Sequence, residues 1–172
     1  MLVLGCGGNI VLDNPGNDAV VFTFDEKDKF EVPAHGMQTI SLEAGDHKVV
    51  VKSMVGAVLA DTSFRLAEGR EGLVHSGASE YLVWRQLYGL QKDRKTLLNE
   101  RWVEFDSIKA FGDIKVYPES WLFIEKSWDL GLADDLPESK NLYITKDFEI
   151  ESKIFRAKEF VKTYKGMARR SK

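Results

Sequence analysis

The stretch "VVFTFDEKDKFEV", Val20 to Val32, decides the fold. Val20, Phe22 and Phe24 fall on one side of an extended chain, and Val21, Thr23 and Asp25 on the other. Such period-two alternation, rich in β-branched and aromatic residues, predicts a strand with one buried face. Glu26-Lys27-Asp28 is a polar break suited to a turn. Phe30 and Val32 then share a face again. Two short strands joined by a tight turn make a hairpin, and a hairpin needs further strands to bury its apolar side.

Those strands are supplied on both sides. Upstream, "IVLDNPGND" runs from an apolar segment into the turn chemistry of Asn14-Pro15-Gly16-Asn17-Asp18. Downstream, "QTISLEAGDHKVVVK" places Ile40 and Leu42 together, breaks at Ala44-Gly45-Asp46, and resumes with His47, Val49 and Val51 on one face. "ADTSFRL" follows with Ala60, Thr62, Phe64 and Leu66. No helix fits between these segments, so residues 10–66 exclude a βαβ unit. They predict an antiparallel sandwich or barrel.

Particular residues within this half carry a resemblance. The segment from Val11 to Val51 has a strand ending in Asn14, an alternating strand ending in Asp25, then Val32-Pro33-Ala34. It closes with Leu42, Gly45, His47, Val49 and Val51. Over residues 10–52 it resembles bacterial β-sandwich modules of the PEGA type. The resemblance implies an immunoglobulin-like accessory domain and scaffold positions, with no catalytic residue to transfer.

Beyond residue 66 the pattern changes. "EGREGLVHSGASE" reads as a polar, glycine-rich connection. The expected division is a sandwich module over 1–70 and a second β region over 71–172, the two sharing one core if they pack together. "YLVWRQLYGLQ" suits either a strand or the start of a helix, and "KDRKTLLNE" a loop or short helix. "RWVEFDSIKAFGDIKVYP" returns to β structure, with a turn expected at Gly112-Asp113. Trp121 to Ile124 reads as one more strand, before an acidic loop around Asp134-Asp135. At the end, Ile150, Ile154, Ala157, Val161 and Tyr164 step by four and three, widened by Phe155 and Phe160. That spacing predicts an amphipathic helix of four turns or more, with Gly166 as its stop. The fold class is therefore mainly β with a C-terminal amphipathic helix.

Gly5-Cys6-Gly7-Gly8 near the N-terminus admits three readings. A nucleotide-binding turn needs a helix after the glycines and a further glycine at position 10. Ile10 stands there, and the next residues read as a strand, so this reading fails. A lipoprotein processing site fits "VLGC", but only five residues precede Cys6 and a signal peptide needs more. A hairpin or a strand bend between "LVL" and "IVL" ranks first, with the lipoprotein close behind if the chain lacks its natural start.

Composition narrows the function. Glu151 to Lys172 carries six net positive charges and the remainder nine net negative, within a total of −3. One cysteine excludes an internal disulfide. His35, His47 and His75 lack metal-ligand spacing, so neither a metal nor a cofactor is expected. No G-x-S-x-G elbow marks a nucleophile. The basic end lacks any ordered nucleic-acid motif, so no specific nucleic-acid partner is expected. No apolar run is long enough to cross a bilayer. Four tryptophans raise the idea of a sugar platform. Several of Trp84, Trp102, Trp121 and Trp128 are expected to fill the core beside the helix, with Trp128 the first candidate to be exposed or to cap it.

The expectation is a non-enzymatic interaction or accessory subunit. It engages another protein chain, or copies of itself, through Lys158, Lys162, Lys165, Arg169 and Arg170. The alternative is an envelope lipoprotein anchored through Cys6 that binds glycans, and a small hydrolase comes last. As it stands the sequence suggests the cytoplasm, and the envelope if a longer N-terminus precedes Cys6.

Overall fold

A computed structural model describes residues 7–89, 94–106, 108–137 and 148–170. Among them the chain is mainly β, with twelve strands in three open sheets and a C-terminal helix. It divides into two compact units, residues 1–79 with 118–126, and residues 80–117 with 127–172.

The first unit contains β1 (Gly8–Asp13), β2 (Val20–Phe24), β3 (Asp28–Val32), β4 (Met37–Leu42), β5 (Gly45–Ser53), β6 (Val58–Leu66), β7 (Gly72–His75) and β11 (Phe123–Glu125). One sheet has the order β3-β2-β5-β6 and the other β11-β7-β1-β4. The residues expected to share a face do so. Val20, Phe22, Phe24, Val49, Val51 and Leu66 from the first sheet form one core with Ile10, Leu12, Ile40, Leu42 and Val74 from the second. This is a sandwich rather than a barrel, because neither sheet closes on itself. At the β2–β3 turn, Asp25 and Glu26 take φ of 50° and 62°, and the Lys27 N–H bonds the Phe24 carbonyl at 2.9 Å.

Three expectations are corrected in this unit. The connection predicted after residue 66 contains β7, an interior strand buried at all four positions. It pairs in parallel with β1 and antiparallel with β11, so a division at residue 70 falls within the unit's strands. Its composition hid it: Gly72 is needed because a Cβ there would lie 2.8 Å from the Ile124 carbonyl oxygen and 2.7 Å from the Phe123 ring. Second, of the expected hairpin or bend at Gly5–Gly8 the first arm lies outside the described residues, and a hairpin would need a free edge on Ile10–Leu12. Both edges are taken, by β4 and by β7. The glycines answer to packing instead. A Cβ on Gly7 would sit 2.5 Å from the Leu42 carbonyl oxygen, and one on Gly8 would overlap that of Arg70 at 1.7 Å. Third, the predicted strand from Trp121 begins only at Phe123.

The second unit contains β8 (Tyr81–Gly89), α1 (Arg94–Leu97), β9 (Arg101–Phe105), β10 (Ile108–Tyr117), β12 (Phe148–Arg156) and α2 (Ala157–Arg170). Its sheet has the order β12-β8-β10-β9. The predicted turn at Gly112-Asp113 is absent. β10 runs straight through it, pairing with β9 up to Gly112 and with β8 from Asp113. Gly112 lets the Trp84 indole approach, since a Cβ would lie 2.8 Å from its Nε1.

The predicted C-terminal helix is half right. Ile150 and Ile154 belong to β12, which pairs with β8 along all nine residues from Phe148 to Arg156. The helix starts at Ala157 and passes through Gly166, the expected stop. The stepping by four and three ran across a strand–helix junction. β-Branched isoleucines favour the sheet once a partner strand is present.

Candidate functional site

Helix α2 is fixed by its apolar side. Phe160 is fully buried, with ring centroids 5.2 Å from Trp84, 5.3 Å from Phe105 and 5.6 Å from Phe155. Burying such a side chain stabilises the docked helix by about 1.5–3 kcal/mol. Tyr164 stacks on Phe160, and its hydroxyl accepts the Phe111 N–H at 3.0 Å. The opposite side is open. Lys158, Lys162 and Lys165 are exposed, at spacings of four and three that place them on one face. None of the three has an ion pair with a described residue. Among the basic residues singled out, Arg169 and Arg170 have side chains outside the described set, and Cys6 is also outside it.

Beside α2 lies a cleft of about 650 Å³, lined by the 132–136 segment, Lys153 and Phe155 of β12, and Glu159, Lys162 and Thr163 of the helix. Lys153 forms its floor. It is buried, although it lies off the apolar stripe that runs from Ile150 to Tyr164 in the sequence. Its Nζ donates to the Gly131 carbonyl at 2.6 Å and to that of Leu132 at 3.3 Å, and lies 4.6 Å from the centre of the Phe155 ring. Burial holds the amine below the ordinary lysine value, against the attraction of Glu159, Asp134 and Asp135. A buried amine with a lowered pKa in a cleft is the kind of group catalytic sites employ. Here two backbone carbonyls take it, and it clamps the loop.

The acidic loop is tied down in the same way. Asp134 accepts the Gly131 N–H at 2.6 Å. Asp129 accepts the Ser152 N–H at 2.9 Å and its hydroxyl at 2.7 Å. No three His, Cys, Asp or Glu side chains among the described residues converge as metal ligands.

In the first unit, a buried polar cluster went unnoticed in the sequence: Asp13, Asn14, His75 and Ser76. It contains the residue types of a Ser-His-Asp triad, but not the geometry. The Nε2–H of His75 donates to the Trp121 carbonyl at 2.9 Å, and its Nδ1 accepts the Gly77 N–H at 3.1 Å. The Ser76 hydroxyl donates to the Asn14 Oδ1 at 3.2 Å, so no base faces it. Burial pushes the His75 pKa down to about 4, outweighing the Trp121 bond and the Asp13 charge. Asn14 is a structural hub. Its Nδ2 donates to the carbonyls of Asp18, Val32 and Pro33 at 2.8, 3.2 and 3.0 Å, and its Oδ1 accepts the Gly16 N–H at 3.1 Å.

His47 and Asp25, two other residues of the quoted pattern, also meet. Nδ1 of His47 lies 2.8 Å from Asp25 Oδ2, and the Lys48 N–H donates to Asp25 Oδ1 at 2.8 Å. Partial burial acts to raise the Asp25 carboxyl. The Lys48 and His47 hydrogen bonds, with the charges of His47 and Lys27, outweigh it and hold the carboxyl below the usual value.

The tryptophans sort differently from expectation. Trp128 is buried, whereas Trp102 and Trp121 are 67% and 54% exposed. Trp102 stands on the edge strand β9, with its ring 5.5 Å from the partly exposed Phe111. No helix among the described residues is long and apolar enough to cross a membrane. In comparison with known proteins, no family model matches the chain and no curated protein is found similar to it.

Proposed function

We propose that this protein is a non-catalytic interaction or accessory subunit that captures an acidic protein surface with the open face of α2. One observation carries the reading. The helix is locked by Phe160 on one side and on the other presents Lys158, Lys162 and Lys165, which have no ion pair among the described residues. Three like charges on one face of a docked helix steer an oppositely charged partner. The sandwich formed over residues 10–52 supports, in the same reading, a relation to PEGA-type accessory modules. The groups that chemistry would need favour this reading too, since Lys153, His75 and Ser76 are each occupied by structural hydrogen bonds.

The test is affinity capture from native cells with the wild-type chain and with K158E/K162E/K165E. A partner held by α2 elutes at raised salt and is absent from the variant, whose thermal melt matches wild type. Retention of the same partner by the folded variant defeats the reading.

A further inference from the structure

A different surface feature sits at the hairpin joining β5 and β6. Its end reads Ser53-Met54-Val55-Gly56-Ala57-Val58-Leu59-Ala60, without a charge. Met54, Val55, Val58 and Leu59 are all exposed, Val55 at 92%. Ser53 is in register with Val20, the first residue of β2, so Met54–Ala57 extends past the end of that strand. Four apolar side chains gathered on one turn mark a surface that meets something other than water.

The backbone of the turn is closed on itself. The Ser53 N–H donates to the Ala57 carbonyl at 2.8 Å, and the Gly56 N–H to the Ser53 carbonyl at 2.9 Å. The Ala57 N–H donates to the Ser53 hydroxyl at 3.1 Å. Gly56, with φ of 87°, makes the tight turn feasible. A tip with apolar side chains and three of its amides bonded internally suits an interfacial layer, where headgroups and water remain within reach of the others.

Charge stands behind the tip. A depression of about 610 Å³ on the outward face of this sheet is lined by Lys29, Lys48, Lys52 and Glu26, with Met54 at its rim, and the exposed Glu31 and Asp61 flank it on β3 and β6. Among the described residues these three lysines have no ion-pair partner. Apolar residues at a point with cations behind them complement a layered target, acyl chains beneath phosphates.

We infer that the β5–β6 tip docks this protein on an anionic lipid bilayer. Met54, Val55, Val58 and Leu59 enter the boundary between headgroups and acyl chains, while Lys29, Lys48 and Lys52 meet the lipid phosphates. This surface is separate from the lysines of α2, and the two ideas stand or fall independently.

The experiment is cosedimentation of the full chain, its Cys6 shown unmodified by intact mass, with phosphatidylcholine vesicles lacking or containing phosphatidylserine. Binding is expected only with phosphatidylserine and weakens with added salt. M54S/V55S is expected to bind about tenfold or more weakly. Each of K29Q, K48Q and K52Q is expected to lose about fivefold. K158E/K162E/K165E is expected to bind as wild type does. The inference is overturned by absence of binding to phosphatidylserine vesicles, by wild-type binding of M54S/V55S, or by a loss confined to the α2 variant.

Discussion

The two units bury their interiors by different means. The first presses two sheets together through alternating aliphatic and phenylalanine side chains, and threads a polar cluster through the interior beside them. The second covers one sheet with a helix, and the contact is aromatic: Trp84, Phe105, Phe155, Phe160 and Tyr164. The sandwich spreads its core over many strands, and its weak points are buried polar groups whose partners are backbone atoms. The helix-on-sheet unit concentrates its core on a few rings, and its weak point is the loss of one of them. Dense packing makes a lost ring costly, and low polarity makes an unpaired donor costly.

Four experiments test this contrast. The largest effect is expected from Phe160→Ala, which removes the ring shared by Trp84, Phe105 and Phe155. It should cost about 3–5 kcal/mol in denaturant unfolding and reduce the helical signal in far-UV circular dichroism. A loss below about 1 kcal/mol would mean that α2 does not depend on this ring.

The second lies in the sandwich and is driven by pH. His75 is held neutral, with its pKa lowered from 6.5 to about 4. Its folded pKa is depressed, so the unfolded chain binds the proton more readily. The stabilisation is complete above pH 6.5 and is lost as pH falls towards 4. The total is about 3 kcal/mol. Unfolding midpoints across this window should fall for wild type, and the part of the slope due to this group should vanish in His75→Gln. An equal slope in both proteins would assign the acid sensitivity elsewhere.

Third, Asn14→Ala removes the donor to three carbonyls and the acceptor for Gly16 and Ser76. Partners left unsatisfied in the interior should cost about 2–3 kcal/mol. Asn14→Asp is isosteric but turns a carboxylate towards those carbonyls, and should be at least as damaging. An Asp variant as stable as wild type would show that the amide donor is dispensable.

The smallest effect belongs to the surface of the same unit. Asp25→Asn weakens the contact with His47 at a partly exposed site and should cost under about 1 kcal/mol. The Asp25 carboxyl is held below its usual value, so its contribution is present above the ordinary carboxylate range and disappears as pH drops below it. A double-mutant cycle with His47→Ala measures the coupling. A value near zero would reduce the pair to a geometric coincidence.

What the sequence alone determined is the set of strands between residues 10 and 66 and the side each residue faces. That information is local: side chains alternate across an extended chain whatever it pairs with, so Phe22 and Val51 could be assigned to a core before any partner was known. The basic character of the C-terminal end was legible too, from composition alone. Only the tertiary structure decided the rest. It made β7 an interior strand despite its glycine and histidine, because β1 and β11 satisfy its backbone on both edges. It made Phe148–Arg156 a strand, because β8 offers nine residues of pairing that a helical spacing could not reveal. It buried Lys153 and Trp128, and it left Trp102 and the β5–β6 tip in the open. Periodicity reports which residues share a face. Which faces are covered, and which buried polar groups find partners, is settled only when distant segments meet.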